Sequence, residues 1–63
     1  MAEPDYPPGP TLADQIACIK REITLRERVY ARQMALGRMS ESTASRELAA
    51  MHAVLKTLER ILE

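Results

Sequence analysis

The stretch GRMSESTASRELAAMHAVLKTLERIL, residues 37–62, decides the fold. Gly37 suits the left-handed backbone position that closes a helix, because glycine has no β-carbon to clash there. Ser40 or Ser42 can cap the helix that follows, and Met39 and Ala44 are spaced as a hydrophobic staple around Ser40. The turn therefore covers residues 37–40, and a second helix runs from about residue 41 to residue 62. Within it Ala44, Leu48, Met51, Leu55, Leu58 and Leu62 recur at steps of four and three. That alternation is the seam of a left-handed antiparallel helix pair, and a turn this short forces the pairing.

Working back from the turn, the chain has neither proline nor glycine between Leu12 and Leu36, and most of these residues favour helix. A first helix is expected over about residues 12–36. Thr11 and Asp14 have the spacing of a capping box, with the carboxylate also favoured by the positive first turn. Leu12, Ile16, Ile19, Ile23, Tyr30 and Met34 form the stripe that matches the seam. Arg26 stands where that stripe calls for an apolar residue, so it must snorkel or pair, with Glu22 one turn earlier as the nearest partner. Folding about the turn sets Ile19 opposite Leu58, Ile23 opposite Val54 or Leu55, and Met34 opposite Ala44. Tyr30 then fills the space above Ala44 and Leu48. Four prolines fall in residues 1–10, which predicts a flexible tail ahead of the hairpin.

Each helix carries a second apolar stripe. Cys18, Leu25, Val29 and Leu36 share a face of the first helix, roughly 120° from the seam, and Ala50, Val54, Thr57 and Ile61 flank the seam of the second. A lone hairpin cannot cover both. A chain of 63 residues also buries too little surface to be comfortably stable alone. With one cysteine and one histidine, neither an intrachain disulfide nor a structural zinc site is available. The fold class expected is therefore all-α: an antiparallel two-helix hairpin that dimerises into a four-helix bundle, with the second stripes as its self-association surface.

Catalytic constellations are missing. Cys18 as a nucleophile needs a base within reach, and the hairpin register holds His52 about two turns away. Cys18 reads as a small apolar residue of the stripe and His52 as a solvated side chain. Gly9 and Gly37 are the only glycines, too few for a phosphate-cradling loop, and Ser40, Ser42 and Ser45 sit where capping explains them. No catalytic residue, cofactor or metal is expected.

Nine basic and nine acidic residues cancel, which argues against a partner attracted by net charge, whether nucleic acid or membrane surface. The charges are nonetheless uneven. The first helix with Arg38 holds six basic and three acidic residues, and Arg21, Arg28 and Arg32 share one face. That face either keeps the bundle solvated or holds an acidic protein partner by arginine forks, with a phosphate backbone as the lesser alternative. Both helices are too long for a DNA-binding helix-turn-helix. No apolar run reaches membrane-spanning length and the start lacks the pattern of a signal peptide, so a cytoplasmic location is expected.

The segments ADQIACIKREI (13–23), RERVY (26–30), GRM (37–39) and ELAAMHAVLKTLE (47–59) together resemble small proteins encoded by bacteriophages and prophages of Gram-negative bacteria. The resemblance covers nearly everything after the proline-rich segment. It implies an accessory protein made in the cytoplasm of a bacterial host, and it carries over no activity and no functional residue. By analogy with small phage proteins, the expected function is binding a host or phage protein, with inhibition of a host system as one form of it. A nucleic-acid-associated protein using Arg21, Arg28 and Arg32, and a small structural assembly component, are the alternatives.

Overall fold

The computed structural model describes residues 9–63, so residues 1–8 of the expected tail lie outside the described residues. The described chain is all-helical. Helix α1 runs Leu12–Ala35 and helix α2 runs Glu41–Leu62, and the two pack against each other as an antiparallel hairpin.

Local chemistry defines each end. The Thr11 hydroxyl accepts from the Asp14 amide at 3.0 Å, and the Thr11 amide donates to the Asp14 carboxylate at 3.0 Å, which closes a reciprocal capping box. Helix α1 stops one residue earlier than its pattern suggests. Leu36 is the cap, and Gly37 takes a φ of 70°. The Gly37 amide then reaches the Met34 carbonyl at 3.0 Å and the Arg38 amide reaches the Gln33 carbonyl at 2.8 Å. These two bonds are the Schellman pair, and they occupy carbonyls that the end of a helix otherwise leaves unpaired. Of the two serines able to cap α2, Ser40 does so. Its oxygen accepts from the Thr43 amide at 3.1 Å, and its hydroxyl donates to the Thr43 side chain at 2.9 Å.

The seam closes between the helices but is thin. Ile16, Ile23 and Ala44 are the buried apolar residues, with Ala44 only 2% exposed. Leu12, Ile19, Tyr30 and Met34 of α1 and Leu48, Met51, Leu55 and Leu58 of α2 are half-buried. Two helices present only one layer of contact, so most seam residues keep one side in solvent. Leu62, expected in the seam, is exposed: in the last turn of α2 the opposite helix no longer covers it. At the Arg26 interruption the guanidinium donates to the Glu22 carboxylate one turn back, and both side chains stay about two-fifths exposed. The hydrogen bond to Glu22 raises the Arg26 pKa most, loss of solvation opposes it, and the charge of Glu22 and the Tyr30 phenol add to the rise.

Candidate functional site

Helical geometry turns each residue by about 100°, so the surface of α1 can be laid out around the seam. Cys18, Leu25, Val29 and Leu36 lie together on one side of it, and all four are exposed. On α2, Ala50, Val54, Thr57 and Ile61 are likewise exposed. The two stripes meet on the same side of the hairpin. Cys18 and Ile19 of α1 line a hollow of about 360 Å3 together with Val54 and Leu58 of α2 and with Pro10, Asp14 and Gln15. Opposite directions of travel produce this coincidence: a stripe that precedes the seam on one helix and on its antiparallel neighbour falls on a common face.

The composition of the exposed surface is selective. Among the described residues the exposed large apolar side chains are Leu25, Val29, Leu36, Val54, Ile61 and Leu62, and all except Leu62 belong to these two stripes. Their exposure ranges from 43% at Val29 to 65% at Ile61. Thr57 fits the same surface because its hydroxyl is used within the helix, donating to the Ala53 carbonyl at 3.0 Å.

The two halves of the face differ. On α2, Val54 adjoins the seam directly, sharing the hollow with Leu58. On α1 a polar row of Gln15, Glu22, Arg26 and Gln33 lies between seam and stripe, with Glu22, Arg26 and Gln33 half-buried. Arg26, a lone interruption of the seam when taken by itself, belongs to this row. Its signal was available in the same spacing of seven, four and seven that marks the stripe beside it. Any molecule covering the face therefore meets an ion pair next to its apolar contacts.

Arg21, Arg28 and Arg32 line the other margin of the α1 stripe, pointing away from α2, and all three are exposed. The one ion pair among the described residues is Glu22–Arg26, so these arginines have no acidic partner within the described hairpin. Cys18 is a free, exposed thiol, His52 is exposed, and no three potential metal ligands gather among the described residues.

No protein-family model, curated protein or solved structure matches the chain. The surface itself has to carry the functional reading. Among the described residues, no helix is long and apolar enough to cross a membrane.

Proposed function

We propose that this chain is a non-enzymatic protein-interaction module that works as a homodimer, two hairpins packed face to face as a four-helix bundle. The observation that carries this reading is the segregation of exposed apolar side chains. Five of the six large ones lie on one face spanning both helices, while only three apolar residues are buried within the hairpin. Apolar side chains gathered on one face in this way mark an association surface, even with the Glu22–Arg26 pair between the α1 stripe and the seam, and a hairpin with so small a core is stabilised by covering it. A two-fold pairing is the simplest way to cover it, because the same patch then serves both copies.

The setting we propose is a phage accessory protein in the cytoplasm of a bacterial host, where the dimer binds a host or phage protein, with inhibition of a host system as one outcome. The resemblance of residues 13–59 to phage-encoded proteins supports this setting. The test is oligomeric state: light scattering with circular dichroism over a dilution series should show a helical dimer that loses mass and helicity together. A helical monomer at low micromolar concentration overturns the dimer.

A further inference from the structure

Arg21, Arg28 and Arg32 have a feature that solvation alone does not explain. The positions one turn away on α1, where a compensating carboxylate would stand, hold Ala17, Cys18, Thr24 and Leu25 around Arg21, and Val29, Ala35 and Leu36 around Arg32. Arg28 and Arg32 are themselves one turn apart, a like-charge pair that weakens an isolated helix. The same helix does place a carboxylate against its remaining central arginine, Arg26, through Glu22. The outer row is thus left positively charged while the inner one is neutralised.

We propose that this outer margin of α1 docks an acidic amphipathic helix, whose carboxylates pair with Arg21, Arg28 and Arg32 and whose apolar edge rests on Leu25. Arginine suits the task because its planar fork takes a carboxylate by two parallel hydrogen bonds. The three side chains span about 16 Å along the axis, which matches three turns of a partner helix. Leu25 lies one turn from both Arg21 and Arg28 and is the stripe residue set furthest round from α2, so a bundle partner covers its inner side and leaves its outer edge at the rim. An apolar residue within the charged row favours a helix with an apolar edge over a bare phosphate chain, and the zero net charge of the whole chain points the same way. A second copy fits this margin poorly: its α1 brings the same excess of positive charge, and its α2 carries three basic and three acidic residues. The inference rests on the interaction-module reading but not on dimerisation.

The experiment uses the full chain and a fluorescent synthetic peptide of about 18 residues, with leucines along one helical face and glutamates on both flanks. Anisotropy at low ionic strength should show saturable binding that salt weakens. The combined Arg21→Gln, Arg28→Gln and Arg32→Gln variant should bind about tenfold more weakly. The corresponding triple glutamate variant should instead prefer a peptide whose glutamates are replaced by lysines while keeping its helicity by circular dichroism, and should bind that peptide more tightly than a variant with three glutamates placed on the exposed face of α2. Absence of binding to the glutamate peptide, equal binding by the glutamine variant, equal binding of a scrambled peptide, or tighter binding of a short DNA duplex would each overturn the proposal. Light scattering on the same samples reads the dimer separately, so peptide binding by a monomer would sink the dimer and leave this site standing.

Discussion

Replacing Leu25 and Val29 together by glutamate places two charges at the centre of the exposed face of α1. Both side chains keep about half their surface in the single hairpin, 53% and 43%. Burying a whole leucine or valine is worth about 1.5–3 kcal/mol, so covering the exposed half is worth about 1 kcal/mol. A two-fold dimer contains each residue twice, and the double substitution therefore removes about 4 kcal/mol from association. That corresponds to a dissociation constant about a thousandfold weaker, before adding the cost of pressing four carboxylates into an apolar contact. Because the core within one hairpin is so small, dissociation and unfolding should arrive together in the variant. Sedimentation equilibrium or light scattering, run beside circular dichroism across a dilution series, measures both. A variant that matches the native chain in mass and melting would refute the assignment of this face to self-association.

Four further substitutions probe the hairpin itself. Arg26→Leu puts an apolar side chain into the polar row beside the seam at the cost of a half-exposed ion pair, and should raise the melting temperature by a few degrees; a fall in melting temperature would assign the pair a stabilising role. Gly37→Ala meets no steric neighbour, yet it forces a β-carbon onto a φ of 70°, so thermal denaturation should show a loss of about 1 kcal/mol. Ser40→Ala removes the side-chain acceptor for the Thr43 amide and should cost about 1 kcal/mol by urea denaturation, whereas Ser42→Ala, which removes no cap, should be nearly neutral.

The sequence alone determined the elements and their ends. The capping box of Thr11 and Asp14, the left-handed Gly37 and a serine cap at Ser40 or Ser42 involve residues within a few positions of one another, so their chemistry is local and legible in order, with the choice of Ser40 made in the structure. The seam was legible for the same reason: steps of three and four place residues on one helical face whatever lies opposite. The one-residue difference at the end of α1 came from the Schellman bonds, which require Leu36 to leave the helix so that Gly37 can turn back. Tertiary structure decided how much each apolar residue is covered. Periodicity assigns Leu62 and Leu58 equally to the seam, but one is exposed and the other half-buried, because coverage depends on what the opposite helix still provides at that height. Only the packed pair brings Cys18 and Val54 to the same hollow, and only there does the Glu22–Arg26 row stand between seam and stripe as a half-buried margin. A helix specifies the angle between its own faces, whereas which faces of two helices form one surface is set by the direction and rotation at which they pack.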